Sequence, residues 1–310
     1  MALFFKKTLV AIKKETTYGT DATPTTTDVF LVKNVTLTPL AGDVVSRDLV
    51  RPYFGNFEQI RLNQHAEIQF EVELQSSGTA GTAPAFKDAL KGAGFAEVVT
   101  AASKVEYTPV SSSFDSSTVY FSIDGVRHSL TGARGSMSLS LQKGQIPVMT
   151  FKYHGRYNTP TDTALITPDF TAWKKPIGPN SVNTPTATLH GASLVMESLS
   201  MDMANNLVFR DLQGGSPQAL ITDRKPTGSI MFEAGLMASK NWFEVARLVT
   251  TDALSVVHGT SAGYIVQIDA PLVQVEAPAY QDSDGIAMLN ANILMLPSSA
   301  GNDEIKLTFK

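Results

Sequence analysis

Residues Gly259–Gly263 have the pattern of a serine nucleophile, because they read G-x-S-x-G around Ser261. In hydrolases that use this motif, a strand leads into the serine and a helix follows it, which exposes the hydroxyl on a sharp turn. In this chain the residues that follow, Tyr264–Asp269, predict a strand. We therefore interpret the pentapeptide as a turn between two strands and assign Ser261 no catalytic role.

The histidines and acidic residues do not have the spacing of a metal site. The histidines are His65, His128, His154, His190 and His258. No two of them lie four residues apart around a glutamate, the arrangement found in zinc proteases. Asp282–Gly285 resembles the start of a calcium loop, but its sixth and twelfth positions hold Ala287 and Ile293 instead of glycine and glutamate. The sequence therefore predicts no metal, no cofactor and no enzyme.

The composition argues against several classes of protein. Of 310 residues, 43% are hydrophobic and 17% charged, with a net charge of −4 and a pI near 5.8. A nucleic-acid reader normally presents a basic face, which this balance does not suggest. There is no cysteine, so no disulfide can form. No apolar run reaches the length of a membrane span, and the N-terminus lacks the apolar region of a signal peptide.

Alternating apolar and polar residues predict half-buried strands. One such strand is Ala66–Leu74, with Ile68, Phe70 and Val72 on its apolar face. The polar side chains of its other face are Glu67, Gln69, Glu71 and Glu73. A second strand, 136–142, has the polar side chains Ser136, Ser138 and Ser140. The acidic face is either solvated surface or the wall of a wet channel, where carboxylates would repel the phosphates of DNA.

Short patterns recur in the same order in the two halves of the chain, at offsets of 158–163 residues. The matched segments are Val45–Leu49 with Val208–Leu212, Ile68–Leu74 with Ile230–Leu236, Asp124–Val126 with Asp284–Ile286, and Thr150–Lys152 with Thr308–Lys310. This repeat predicts two tandem copies of one domain. The predicted fold is mainly β: two β-sandwich or half-barrel domains, each with antiparallel sheets and one flanking α-helix.

Composition divides the chain into four segments. Residues 1–28 are predicted as an N-terminal arm, in which 15–28 lack periodicity and need a partner to become ordered. The first domain is predicted at 29–157 and the second at 188–310. Five prolines between them mark 158–187 as a linker.

Each copy contains one predicted helix. Pro84 suits the start of the first helix, and Gly92 and Gly94 end it. The second is predicted at about 239–249. Its apolar face is formed by Trp242, Val245, Ala246 and Val249.

Long segments between predicted strands have the residues of a contact surface. The first, 41–65, is too long for a compact domain unless it has a function. Its charged and aromatic residues are Arg47, Asp48, Arg51, Tyr53, Phe54 and Phe57. The second is a loop around Arg210–Thr227, which starts with Arg210 and Asp211. We predict that both segments make contacts between subunits, and that 41–65 and the arm are mobile in the free chain.

Several segments resemble the tail tube (major tail) proteins of bacteriophages with long, non-contractile tails. The similar segments are Glu15–Pro24, Ser77–Pro84, Asp124–Gly135, Asp223–Ile230 and Gly301–Lys310. The resemblance extends over nearly the whole chain. It implies tube domains of two antiparallel sheets with a flanking helix, in a structural virion protein without an active site.

The resemblance also implies an assembly. Members with a duplicated domain form trimeric rings of pseudo-sixfold symmetry, which stack into a tube that carries double-stranded DNA into the host without binding it specifically. The polar faces of 67–73 and 136–140 are then expected to line the channel, and 1–28 and 41–65 to reach the neighbouring ring. The implied partners are the tape measure, tail terminator and distal tail proteins, with no membrane partner. The implied location is the virion tail, assembled in the host bacterial cytoplasm.

The competing interpretation is a duplicated β-sandwich module that binds carbohydrate or a host surface. Such a module should expose tryptophan and tyrosine platforms. The chain has two tryptophans, Trp173 and Trp242, and the second is predicted on the apolar face of a helix.

Overall fold

The computed structural model describes residues 2–310, which form antiparallel strands and two short helices, as predicted. The strands of the first half are β1 Thr8–Lys14, β2 Val29–Phe30, β3 Lys33–Ser46, β4 Gln59–Glu73, β5 Phe95–Thr100, β6 Lys104–Pro109, β7 Ser117–Ile123, β8 Val126–Gln142, β9 Val148–Tyr157 and β10 Thr161–Asp162. Those of the second half are β11 Thr186–Leu189, β12 Ala192–Ser193, β13 Met196–Asp202, β14 Asn205–Arg210, β15 Gln218–Arg224, β16 Thr227–Glu233, β17 Thr251–His258, β18 Val266–Ser283, β19 Ile286–Leu296 and β20 Lys306–Phe309. The helices are α1 Lys87–Gly92 and α2 Trp242–Arg247.

The first half pairs its main strands in the order β2-β1-β7-β8-β9-β4-β3. Strand β8 has a different neighbour on each side, because Val126–Ala133 pairs with β7 and Leu130–Ser140 pairs with β9. The register shifts between Thr131 and Arg134, where Gly132 takes a φ of 59°. A bulge of this kind bends a strand, so we expect β8 to change direction near Gly132.

The second half repeats this order as β11-β17-β18-β19-β16-β13. By strand order, β13 corresponds to β3, β16 to β4, β18 to β8 and β19 to β9. The pairing registers agree in detail: Leu37 faces Ile68, and Leu199 faces Ile230. The division into two domains stays a prediction, which this shared order supports.

Two of the four sequence matches do not lie at corresponding places. Asp124 is in the turn between β7 and β8, whereas Asp284 is in the turn between β18 and β19. Thr150 is in β9, but Thr308 is in β20, which pairs with β6 and β18. These two short similarities therefore carry no information about the strand correspondence.

The two halves are joined by a ladder between β8 and β13. Ser138–Gln142 pairs with Ser198–Asp202, and β6 pairs with β20 at a second junction. The first junction creates one continuous sheet in the order β3-β4-β9-β8-β13-β16-β19-β18. We call it the joint sheet.

The apolar face of the joint sheet packs into a core that both halves share. The predicted alternation of β4 is confirmed: Ile68, Phe70 and Val72 are buried. The Phe70 ring stacks on Phe151 and Tyr153 of β9, at centroid distances of 5.6 and 6.1 Å. Because a slip of one residue would expose this whole set, the core fixes the register of β4.

The helix predictions are confirmed in position but not in length. Helix α1 buries Ala89 and Leu90 and ends before Gly94, whose φ is 87°. Helix α2 is shorter than the predicted 239–249: it begins at the N-cap Asn241 and buries only Trp242. Val249 has a φ of 54°, so the chain leaves the helix there.

The predicted loops 41–65 and Arg210–Thr227 are wrong in detail, since each is largely a β-hairpin. Strand β3 continues to Ser46 and β4 begins at Gln59, which leaves only 47–58 as the tip. Strands β14 and β15 pair in the same way around 211–217. We call them the long hairpin (41–65) and the short hairpin (205–224).

The expectation that 15–28 need a partner to become ordered is also wrong. The Glu15 carboxylate is buried and accepts hydrogen bonds from Ser116, Thr118 and the backbone N–H groups of Gly19 and Gly132. Earlier in the same predicted arm, β1 pairs along its whole length with β7 and contributes to the core. The sequence of 15–28 suggested a loose segment because most of the groups that bind Glu15 lie about 100 residues away in the chain.

The proline-rich segment 158–187 contains little regular structure, and its role as a linker stays a prediction. Trp173 attaches it to the first half, since its indole packs against Phe30 and donates to the Val29 carbonyl at 3.2 Å.

Candidate functional site: a polar sheet face and two hairpins

The outward face of the joint sheet is polar in both halves. One row crosses its central strands through Glu71, Thr150, Ser138, Asp202 and Thr227, which pair successively along the ladders. The next row contains Ser140, Ser200, Ser229 and Asn292. Because side chains alternate across a sheet, these rows lie opposite the apolar core.

Every residue predicted to line a channel lies on this polar face. These residues are Glu67, Gln69, Glu71, Glu73, Ser136, Ser138 and Ser140. The acidic strand and the serine strand are not adjacent, however. Strand β9 lies between them, so that Lys152 faces Gln69 on one side and Ser136 on the other.

Sequence reasoning missed the contribution of β9 and of the second half. The missed polar residues include Lys152, His154, Ser198, Ser200, Asp202, Ser229, Asn292 and Glu276. The alternation of β9 was visible in the sequence. Its position between β4 and β8 was not, because that depends on long-range pairing.

The acidic ladder is partly compensated. Lys33 lies 3.5 Å from Glu73, and Asn34 donates to Glu71 at 2.8 Å. Lys152 adds a second positive charge between the acidic and serine strands. The face remains acidic in total, with no cluster of basic residues that would hold a phosphate backbone.

Two histidines meet Glu67 at one end of this face. His65 Nε2 and His154 Nε2 lie 3.2 and 3.5 Å from Glu67 Oε1, and Phe209 of β14 stacks on His65 at 4.8 Å. Burial lowers the pKa of His154 from its ordinary value, and Glu67 opposes that shift. The sequence spacing of 65 and 154 concealed this cluster, which arises because Glu67 pairs with His154 across β4 and β9.

The predicted contact residues 47, 48, 51, 53, 54 and 57 lie together at the tip of the long hairpin. Arg47 pairs with Glu58, and the Arg51 guanidinium lies over the Tyr53 and Phe57 rings at 4.9 and 4.1 Å. Phe54 is fully exposed. Exposed apolar side chains also continue down its strands; they include Val44, Val45, Ile60 and Leu62. A patch of this kind is typical of a protein interface.

The short hairpin, in contrast, is docked within the chain. Arg134 and Arg156 of the first half donate to the carbonyls of Ala219 and Pro217, at 3.1 and 2.6 Å. The Tyr18 hydroxyl accepts from the Ala219 N–H at 2.8 Å, and burial raises the Tyr18 pKa. Arg210 is the last residue of β14, and Asp211 is the first residue of the tip of the short hairpin.

The G-x-S-x-G segment is a turn, as predicted. Ser261 lies between β17 and β18, in a turn and not before a helix. Neither helix has the length or apolar character needed to cross a membrane.

The chain therefore combines a continuous β-sheet with a polar face and a projecting hairpin whose exposed residues suit contacts with other proteins. Residues 6–308 match the family model described as phage tail tube protein. The chain therefore belongs to the phage tail tube protein family, so it is a structural component of a virion tail that self-assembles into a tube. No curated protein is significantly similar to the chain.

Proposed function

We propose that three chains close into a ring of six quasi-equivalent positions, and that such rings stack into a tube for DNA ejection. One observation carries this proposal. The two strands that form the junction inside the chain, β8 and β13, have counterparts at the two ends of the joint sheet. Those ends are β18, which corresponds to β8, and β3, which corresponds to β13. Within the described residues, β3 pairs only with β4, and the C-terminal end of β18 pairs only with β19. Each of these strands therefore has one unpaired edge.

Open sheet edges are covered or paired in natural proteins, and a ring pairs each edge with the next subunit. The internal junction predicts the register of the external one. Ser140 faces Ser200 within the chain. The corresponding residues are Ser283 and Thr38, so Ser283 of one chain should face Thr38 of the next.

The hairpins support the same arrangement. The short hairpin follows β13 and crosses β8 and β9 of the first half. The long hairpin follows β3, so its base should cross β18 and β19 of the next chain. Exposed apolar residues near those strands offer a surface for it: Phe243, Leu248, Val249, Tyr280 and Ile286. The tip, 47–58, then reaches the adjacent ring.

In this ring the polar face of the joint sheet lines the channel. Carboxylates repel the DNA backbone, and neutral serine and asparagine side chains between them offer few attachment points. Genome transit then needs no catalytic residue and no cofactor. Partners at the tube ends, namely the tape measure, tail terminator and distal tail proteins, and assembly in the host cytoplasm, belong to the same proposal.

A disulfide experiment tests the register. The natural chain has no cysteine, so a Thr38→Cys/Ser283→Cys variant has only the new pair. We expect oxidation of assembled tubes to link chains into covalent trimers, seen on a denaturing gel. The control Ser140→Cys/Ser200→Cys should form a link within one chain.

Electron microscopy provides the second arm of the test. Threefold rings with cross-linked trimers are expected. True sixfold rings of six chains, or tubes in which the first pair stays reduced while the control pair oxidises, would contradict the proposed ring.

A further inference from the structure

Three potential ligand atoms converge between β4 and β9. His65 Nε2, His154 Nε2 and a Glu67 carboxylate oxygen all lie within 4.8 Å of one another. His65 and Glu67 are two residues apart on β4 and share a face, while His154 stands directly opposite Glu67 on β9. The arrangement depends on the register of two central strands, so it is well fixed.

The hydrogen bonds of this cluster leave one buried nitrogen, His154 Nε2, without a partner. His65 Nδ1 lies 2.7 Å from the Asn63 carbonyl. Because a carbonyl can only accept, Nδ1 carries a proton, and Nε2 is the ring nitrogen that faces Glu67.

Two imidazole nitrogens and a carboxylate oxygen this close together can share one cation between them. We propose that His65, Glu67 and His154 form a binding site for a divalent transition-metal ion, with zinc as its natural occupant. Two imidazoles and a carboxylate are a ligand set that suits zinc. The Asn63 carbonyl acts on His65 as the outer partners of zinc-bound histidines do, by fixing the tautomer.

The distances agree with this assignment. Zinc bonds to nitrogen and carboxylate oxygen are about 2.1 Å long, which places tetrahedral ligand atoms about 3.4 Å apart. The separations from Glu67 Oε1 to the two nitrogens are 3.2 and 3.5 Å. Three protein ligands leave a fourth position for water or for a group from another chain.

The ion would join β4 to β9 at the base of the long hairpin, beside Phe209 of the second half. It would also neutralise Glu67 at that end of the polar face. All three ligands belong to one chain, so the site does not depend on the proposed ring.

Zinc titration of untagged, chelator-treated protein tests the site by calorimetry. We expect one zinc ion per chain and a thermal midpoint that increases with zinc concentration, since the ion binds the folded state. His154→Gln should weaken binding at least about tenfold, as should Glu67→Gln. The matched controls, His128→Gln and Glu71→Gln, should bind zinc like the natural chain.

X-ray absorption of the zinc-loaded natural chain gives a readout that does not depend on how variants fold. Scattering from two imidazoles and at least one oxygen is expected. The proposal is overturned by a spectrum without imidazole, by the absence of saturable binding, or by His154→Gln binding as tightly as the His128→Gln control. In those cases protons, and not a metal, occupy the cluster.

Discussion

At the scale of residues, Glu15 is the polar group on which the N-terminal segment most depends. Its buried carboxylate accepts four hydrogen bonds, from Gly19, Ser116, Thr118 and Gly132. Glu15→Ala leaves those donors buried without an acceptor, so we expect a loss of about 3 kcal/mol in the free energy of unfolding. Urea denaturation measures it. The exposed Glu233→Ala control should change stability by less than about 0.5 kcal/mol, and equal midpoints for the two variants would contradict the role of Glu15.

His258 should make stability depend on pH. Burial lowers its pKa from the ordinary value of 6.5, and its ring bridges Thr184 and the Ile177 carbonyl, at 2.9 and 2.8 Å. The unfolded chain therefore binds a proton that the folded chain excludes, so this contribution is present above about pH 6.5 and is lost as pH falls towards the lowered folded value. Between about pH 7.5 and about pH 5.5, the free energy of unfolding should fall less steeply with decreasing pH for His258→Gln than for the natural chain. Urea denaturation at several pH values measures both slopes. Parallel slopes would mean that His258 does not contribute.

Single residues also show the limit of sequence reasoning. Alternation placed Glu67 and Ser138 on polar strand faces, because a strand has period two whatever its neighbours are. It could not place His154 beside Glu67, since that contact is set by the pairing of strands far apart in sequence. The histidines were consequently judged one at a time, and their cluster was missed.

At the scale of elements, the long hairpin is expected to serve assembly and not folding. We predict that replacing 47–58 by an Asn-Gly turn leaves thermal stability nearly unchanged and abolishes tube formation. The tip contributes no residue to the core, and Asn-Gly suits a two-residue turn between antiparallel strands. Calorimetry and electron microscopy measure the two effects. Val182→Ser, which removes an exposed apolar residue of the linker segment, is the control and should polymerise normally; normal tubes from the shortened hairpin would refute the prediction.

The elements were predictable where one face is buried. The strands around Phe70, Phe151 and Ile230 were recognised because the core imposes a clear alternation. The strands of the long hairpin were not, since Val44 and Val45 are consecutive and both exposed, which removes the period of two. The shared strand order of the two halves was suggested by the Ile68 and Ile230 match, while the Asp124 and Thr150 matches had no structural counterpart.

At the scale of the whole molecule, the charge of the polar face should govern how DNA moves. We predict that Glu71→Lys/Glu73→Lys tubes assemble but eject DNA more slowly at low salt, with recovery as salt screens the new attraction. Glu67 is left unchanged because it belongs to the histidine cluster. Fluorescence measurements of ejection from virions provide the rate. The control Asp162→Lys/Asp223→Lys adds the same charge to exposed residues elsewhere, and equal rates for both variants at low salt would remove the channel assignment.

In the proposed ring, the ladder between β8 and β13 would give the assembly a different response to dilution from that of separate single-domain subunits. Free subunits lose translational and rotational freedom at every contact they form, at an estimated cost of 4 kcal/mol or more each. Here the strands of one contact are tethered in a single chain, so that pairing is completed during folding and does not depend on protein concentration. In the proposed ring, dilution would therefore separate the chains only at the junction between β3 and β18. The released unit would be a folded monomer in which the β8–β13 contact is already formed, so regrowth would need only the contacts between chains.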